Sequence, residues 1–189
     1  MMKQGFTLAE LLIALAILGV IATFTIPKVL QTQQNQKFNA IGKEAASMIS
    51  GAYQAYQQKN TVTASTGSGD LTAYMNYVAL DTTSMIDRTY MDPPEQCSAT
   101  YPCLLLHSGA RLSYSPSEPF AGTVSTSAIY FYLDPDGVVT TNGSGKSVVF
   151  FLYVNGRLTT WGNLAPGTYN SGGSYTADPN RDPSWLSWS

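Results

Sequence analysis

Charged side chains are scarce in this chain, at 12% of its 189 residues, and histidine occurs only once. Residues 61–189 carry five basic and ten acidic groups, a net charge of −5. Residues 61–189 therefore have no excess of basic side chains to attract the phosphate backbone of a nucleic acid, and nucleic-acid binding is not expected. The sequence also lacks a glycine-rich phosphate loop and a catalytic motif. It therefore indicates neither an enzyme nor a cofactor, with calcium as the one candidate ligand.

Cysteine is nearly absent as well, with only Cys97 and Cys103, in CSATYPC. Both could remain free thiols, but a disulfide is the better interpretation if the chain is exported. That bond would close a seven-residue loop, for which the chain-entropy model gives about 2.4 kcal/mol of stabilisation. A C-x5-C spacing without a second pair fits no common zinc site.

Charge is almost missing from residues 11–30, where Lys28 is the only charged side chain. Twenty helical residues span about 30 Å, the thickness of the hydrocarbon core of a bilayer. Gly19 and Pro27 interrupt the run without excluding a membrane helix. Pro27 is predicted to bend that helix.

The helical pattern continues beyond the apolar run and predicts one helix over residues 6–59, roughly 80 Å long. A head made of residues 61–189 would be roughly 35 Å across, so it could cover only the second half of this helix. The first half must then be buried in lipid or against other copies. The predicted stripe on the second half consists of Phe38, Ile41, Ala45, Met48, Ile49, Ala52 and Tyr56.

The rest of the chain predicts a short helix in DLTAYMNYVAL, with Asp70 as its N-cap, followed by strands. Strand patterns occur in CLLLHSGARLSYS, SAIYFYL, SVVFFLYV and RLTTW, the last two joined by a turn at Asn155-Gly156. The fold class is therefore α+β: a long N-terminal helical spine packed on a small antiparallel sheet of about four strands.

Three interpretations compete for the first 30 residues. A cleaved secretory signal peptide needs a positive n-region and a short apolar core, but Glu10 cancels the charge of Lys3 and the core is too long. A plain membrane anchor explains the apolar run and, through Lys3, a cytoplasmic N-terminus. It does not explain a carboxylate at the start of a membrane span.

The third interpretation is a family resemblance carried by GFTLAELLIALAILGVIA, residues 5–22. This stretch resembles the N-terminal processing motif of type IV prepilins and type II secretion pseudopilins. The resemblance implies that prepilin peptidase cleaves between Gly5 and Phe6 and that Phe6 is N-methylated. It also implies that Glu10 is the family's assembly acid and that Pro27 is its helix-kinking proline.

The domain organisation follows from the resemblance and the patterns together. We expect a leader, a membrane and filament-core helix, an amphipathic helix that continues the spine, a region with a linker, a short helix and a disulfide loop, a sheet, and a tail. These cover residues 1–5, 6–30, 31–60, 61–103, 104–164 and 165–189.

The resemblance implies a structural subunit of a type IV pilus or a type II secretion pseudopilus. It would be held in the bacterial inner membrane with a periplasmic head, and then assembled with other pilin subunits by the inner-membrane assembly platform. An alternative is a minor tip or surface pilin whose residues 81–103 and 165–189 bind a host surface, a secretion substrate or DNA. A third possibility is an anchored periplasmic protein that never polymerises.

Two further candidate sites can each be explained without a function. In DPDG, Asp134 and Asp136 could bind calcium together with Asn142, or the stretch could be a polar turn in which Gly137 takes a positive φ. His107 follows Cys103 by four residues, a separation of about 13 Å along a strand, which is too long for a Cys–His hydrogen bond. We therefore interpret His107 as a strand side chain.

Overall fold

The computed structural model describes residues 7–86, 95–120, 128–137, 147–160, 169–170 and 174–175. The longest element is the helix α1 (Leu8–Lys59), which confirms, from residue 8 onward, the continuous helix predicted from the sequence. The chain divides into two units, the first ending at Lys37 and the second beginning at Phe38. The helix contributes residues to both.

In the first unit, the part of α1 between residues 8 and 30 exposes apolar side chains on all sides. It is the one helix in the described part of the chain that is long and apolar enough to cross a membrane. The large apolar side chains between residues 8 and 30 are each 48–77% exposed in a single chain. They are Leu8, Leu11, Leu12, Ile13, Leu15, Ile17, Leu18, Val20, Ile21, Phe24, Ile26, Val29 and Leu30.

The two threonine hydroxyls of this segment are satisfied inside the helix. The hydroxyls of Thr23 and Thr25 donate to the carbonyls of Gly19 and Ile21, at 2.7 and 2.8 Å. Bonds of this kind suit a segment in hydrocarbon, where no water is present to take their place. Pro27 lies inside α1, and the bend at this residue remains a prediction.

In the second unit, α1 buries one face. Met48 and Tyr56, predicted on the stripe, are half-buried at the margin of the core, whereas Tyr53 lies fully within it. Glycine and alanine occupy half of the buried positions, so the packed elements can approach the helix backbone closely. The buried residues are Phe38, Ile41, Gly42, Ala45, Ala46, Ile49, Ala52 and Tyr53.

A second, short helix, α2 (Ser68–Thr72), begins earlier than the sequence suggested. Asp70 was predicted to be the N-cap, and this is wrong. It is the third helical residue, and its Oδ2 accepts the backbone N–H of Gly67 at 2.9 Å. A glycine N-cap has no side chain of its own, so the carboxylate satisfies this N–H from inside the first turn.

The main sheet has six strands rather than about four, in the antiparallel order β1-β4-β5-β6-β7-β8. Its most unexpected member is β1, which falls where a helix was predicted and is too short to show an alternating pattern. The β2–β3 and β9–β10 pairs form separate ribbons. The strands are β1 (Ala79–Asp81), β2 (Met85–Ile86), β3 (Glu95–Gln96), β4 (Cys103–Leu105), β5 (Arg111–Tyr114), β6 (Ala128–Asp134), β7 (Val148–Tyr153), β8 (Leu158–Thr160), β9 (Tyr169–Asn170) and β10 (Ser174–Tyr175).

The sheet is buried on both faces at its centre. On the inner face, alternate residues of β6 and β7, including Phe131 and Phe150, share one core with the α1 stripe. On the opposite, outer face, Val149, Phe151 and Tyr153 form a second cluster. All six residues of β7 are therefore buried, which explains why its sequence is a continuous apolar run rather than an alternating one.

The β7–β8 hairpin is fastened to α1 through Tyr53. Its hydroxyl donates to the carbonyl of Val154 at 2.6 Å. The predicted turn at Asn155-Gly156 is present, and Gly156 has a φ of 83°. A Cβ at Gly156 would lie 2.7 Å from Cε1 of Tyr53. Glycine is thus required here both for its backbone conformation and for the close approach of the tyrosine ring.

These two requirements can be separated by substitution. Gly109 lies at a turn with a φ of 87°, and a Cβ added to it would have no other atom within 4 Å. Gly109→Ala should therefore cost only the conformational term, about 1 kcal/mol. Gly156→Ala should cost about 3 kcal/mol because the ring of Tyr53 must also move. Urea unfolding of the full-length protein in detergent measures both. Equal losses of stability would contradict the close approach.

Candidate functional site

The candidate assembly residue Glu10 lies in the first turn of α1, and its carboxylate is held by Thr7. Oε2 of Glu10 accepts both the backbone N–H and the hydroxyl of Thr7, each at 2.8 Å. The Thr7 hydroxyl oxygen in turn accepts the backbone N–H of Glu10 at 3.3 Å. Two N–H groups that the helix leaves without partners are satisfied reciprocally, which is the arrangement of a capping box.

Sequence reasoning missed this arrangement, although its signal is visible. Thr7-Leu8-Ala9-Glu10 has the pattern Ser/Thr-x-x-Glu immediately before an apolar run, which predicts a capping box. The carboxylate thus has a role in starting the helix within its own chain. Gly5 and Phe6, the predicted processing residues, lie outside the described residues.

Only one oxygen of the carboxylate is used by the capping box. Among the residues that the structure describes, Oε1 of Glu10 accepts no hydrogen bond, and the side chain is exposed in a single chain. A carboxylate at this end of a helix is also favoured by the helix dipole. Glu10 can therefore keep its local role and still accept a donor from another molecule.

The two cysteines form a disulfide, as the sequence favoured. It joins the residue after β3 to the first residue of β4, and both cysteines are buried with Ile86 in a small cluster of their own. The bond ties the β2–β3 ribbon to the main sheet. The bond closes the predicted seven-residue loop, so the chain-entropy stabilisation of about 2.4 kcal/mol applies to Cys97 and Cys103.

A polar network centred on Arg111 connects the first strand of the main sheet to its neighbours. Nε of Arg111 lies 3.4 Å from Oδ2 of Asp81, and its Nη1 donates to the carbonyl of Gly137 at 2.7 Å. Oδ1 of Asp81 accepts the backbone N–H groups of Thr83 and Ser84, at 2.9 and 3.0 Å. One guanidinium thus links β1, β5 and the turn that follows β6.

The DPDG segment forms a tight turn at the end of β6. Asp134 is buried, and its Oδ1 accepts the backbone N–H of Gly137 at 2.9 Å. Gly137 has the positive φ expected of the polar-turn interpretation. Asp136 is half-buried, and Asn142, the third proposed ligand, lies outside the described residues. Within the described ranges, no three His, Cys, Asp or Glu side chains could share a metal ion. The calcium site remains a prediction.

His107 is not a strand side chain, contrary to the prediction. It lies in the turn after β4, exposed, with Nε2 3.3 Å from Oδ1 of Asn76. The sequence does carry a turn signal at this position, because Ser108-Gly109 follow His107 directly. Cys103 is held in its disulfide, so the two residues do not form a nucleophile and base.

Comparison with known proteins bears on the N-terminal segment. Residues 1–26 match a family model described as the prokaryotic N-terminal methylation motif. The chain carries the type IV pilin and pseudopilin signature. No curated protein and no solved structure matches it. This signature combines a short leader that ends in a glycine, here Gly5, with an acidic residue, here Glu10, and a long apolar helix. The match covers residues 1–26 only, and it supports a pilin-like or pseudopilin-like protein.

The Asp81 network makes a prediction about acid stability. The hydroxyl of Ser84 is the strongest influence on the Asp81 carboxyl and, with the neighbouring N–H groups and Arg111, holds its pKa well below the usual range. A carboxyl with a lowered pKa in the folded state stabilises the protein above its unfolded pKa, about 4, and loses that effect as the pH falls further.

Asp81→Asn should therefore lower the free energy of unfolding at pH 7, and the difference from the wild type should shrink towards pH 3. Glu118→Gln, at a carboxyl outside this network, controls for the loss of one negative charge. Thermal or urea unfolding at pH 7, 5 and 3 gives the comparison. A difference for Asp81→Asn that is as large at pH 3 as at pH 7 would show that its charge is not what stabilises the network.

Proposed function

We propose that this chain is a structural subunit of a type IV pilus or a type II secretion pseudopilus. Prepilin peptidase would remove residues 1–5 by cleaving after Gly5, and Phe6 would become the N-methylated mature N-terminus. Before assembly, the subunit would be anchored in the inner membrane with its head in the periplasm. The assembly platform would then add it to a filament. Pilin-motif proteins are structural rather than catalytic, which agrees with this role.

The observation that carries the proposal is the carboxylate of Glu10 at the start of an apolar helical segment whose large side chains are 48–77% exposed. Cleavage after Gly5 would create a positive amine at Phe6, four residues before Glu10 in the sequence. A charged group in lipid costs a few kcal/mol, so it is normally paired. In a filament of staggered copies, the amine of one subunit can approach Oε1 of Glu10 in its neighbour.

The apolar surface of α1 supports the same conclusion. Side chains that are 48–77% exposed between residues 8 and 30 must be removed from water, first by lipid and then by other copies. The hydroxyls of Thr23 and Thr25 are already satisfied within the helix. Neighbouring helices therefore do not need to supply them with partners, and packing in the filament can be apolar.

The capping box allows the charge of Glu10 to be tested separately from its part in starting the helix. Glu10→Gln keeps an acceptor for Thr7 but removes the charge, because glutamine also serves at the third position of a capping box. Thr7→Ala keeps the charge and removes the cap, at a cost of about 1 kcal/mol. Each variant is expressed with the wild-type chain and the assembly machinery, and its share of sheared filaments is measured.

We expect Glu10→Gln to lower incorporation at least tenfold, because breaking one partner of a buried ion pair costs about 3–5 kcal/mol. Thr7→Ala should reduce incorporation about fivefold or less. Equal amounts of each variant in the membrane, measured before shearing, control for insertion. Incorporation of Glu10→Gln at the wild-type level would refute the pairing, and a larger loss for Thr7→Ala would assign the effect to the helix start.

A further inference from the structure

Two exposed charged side chains of α1, Lys28 and Glu44, have no partner of opposite charge. Among the described residues, neither the ammonium of Lys28 nor the carboxylate of Glu44 makes a hydrogen bond or an ion pair. Side chains on a helix meet when they are three or four residues apart, and no charged residue lies at those distances from either one. Lys28 and Glu44 are sixteen residues apart on α1, so they do not pair within one chain.

Lys28 lies in a surface that has to leave water. It is the only charged side chain between residues 11 and 30, and Val29 and Leu30, which follow it, are 48% and 54% exposed. In a membrane, its long side chain can reach the lipid phosphates. When other copies cover this surface, the ammonium loses that environment and needs a carboxylate. Lys37 differs, because it follows the polar stretch QTQQNQ and can stay hydrated.

Glu44 lies at the edge of an open cleft of about 400 Å³ in the second unit. The cleft runs between α1 and the turn that joins β4 to β5. Its floor is apolar and includes Ala52 and Leu106, which are 1% and 4% exposed. Its other edge is polar, with His107 and Asn76 joined by their hydrogen bond. Glu44 is the only carboxylate among the described residues that line the cleft.

The wall that α1 contributes to the cleft leaves room for a second helix. Gly51 is exposed there, and a Cβ added to it would meet nothing within 4 Å in the described part of the chain. Glycine is a poor helix former compared with alanine, and no contact within the described chain requires it here. Together with Ser47, one turn earlier, it lets another backbone approach this wall closely.

We propose that the cleft receives the first half of α1 from another copy, with the ammonium of that copy's Lys28 against Glu44. The incoming helix brings apolar side chains that need cover and one positive charge, and the cleft offers an apolar floor and one carboxylate. The inference rests on the filament role proposed above. In a filament of parallel helices, it requires the same direction of stagger as the proposed pairing of Phe6 with Glu10, since in both pairs the carboxylate lies further along the chain.

Charge exchange tests the pair. Each variant is expressed as the only copy of the chain, together with the assembly machinery, and the yield of sheared filaments is measured. Lys28→Glu and Glu44→Lys each place like charges in contact, so each should lower the yield roughly tenfold or more. A chain that carries both substitutions restores opposite charges at every contact and should recover to near the wild-type yield.

Two positions outside the contact provide matched controls. Lys37→Glu and Glu118→Lys make the same changes of charge and should leave the yield near that of the wild type. A chain that combines Lys37→Glu with Glu44→Lys has the same net charge as the double exchange but should assemble as poorly as Glu44→Lys alone. Equal amounts of every variant in the membrane before shearing control for insertion.

Cysteine crosslinking supplies a second measurement that does not depend on charge. One copy carries Lys28→Cys and the other carries Glu44→Cys, while Cys97 and Cys103 remain joined to each other. Mild oxidation of filaments that contain both copies should link them into a dimer, identified by mass spectrometry of the joined peptides. Lys37→Cys in place of Lys28→Cys should give several-fold less of this dimer.

The outcomes separate this contact from the filament role. Normal wild-type filaments, with neither recovery in the double exchange nor a dimer between positions 28 and 44, would overturn the contact alone. Failure of the wild-type chain to enter any filament would overturn both. Assembly of Lys28→Glu at the wild-type level would show that Lys28 needs no carboxylate. The same dimer in membranes without the assembly machinery would assign the contact to a pair of subunits in lipid and overturn it as a filament contact.

Discussion

Between residues 8 and 30, α1 presents apolar side chains to its surroundings, and a carboxylate lies at the start of this surface. Water cannot be the final environment of such a surface, because its exposure is too unfavourable, and lipid is a poor environment for an unpaired carboxylate. The capping box with Thr7 reconciles the two requirements within one chain, since it uses Oε2 of Glu10 to start the helix. Oε1 is left for a donor from another subunit, so the proposed pairing needs no rearrangement of the helix start.

The head is built to cover a sheet on both sides. The second half of α1 packs on the inner face through small residues such as Ala45 and Ala52, and Tyr53 fastens the β7–β8 hairpin to the helix. On the opposite face, the disulfide ties the β2–β3 ribbon to β4, and Val149, Phe151 and Tyr153 are buried on β7. Arg111 links β1, β5 and the turn that follows β6.

Much of this architecture could be predicted from local sequence signals. The apolar run and the stripe predicted α1, the Asn-Gly pair predicted the β7–β8 turn, and two lone cysteines predicted their own bond. The failures have physical causes. Strand β1 is three residues long and takes its stability from pairing with β4, and Asp70 caps from the third helical position. The link between Asp81 and Arg111 joins residues 30 positions apart, which no local pattern reveals. The capping box of Glu10, by contrast, has a local signal in the sequence, the pattern Thr7-Leu8-Ala9-Glu10 before an apolar run.

The central claim is that the chain is cleaved after Gly5, so that Phe6 becomes a charged, N-methylated N-terminus. Intact-mass and tandem mass spectrometry of the protein purified from cells that contain the assembly machinery tests it most directly. The account predicts a chain that begins at Phe6 and carries one methyl group on its α-amine, in membranes and in filaments alike. A chain that retains residues 1–5, or that is cleaved at another position within the apolar run, would contradict it.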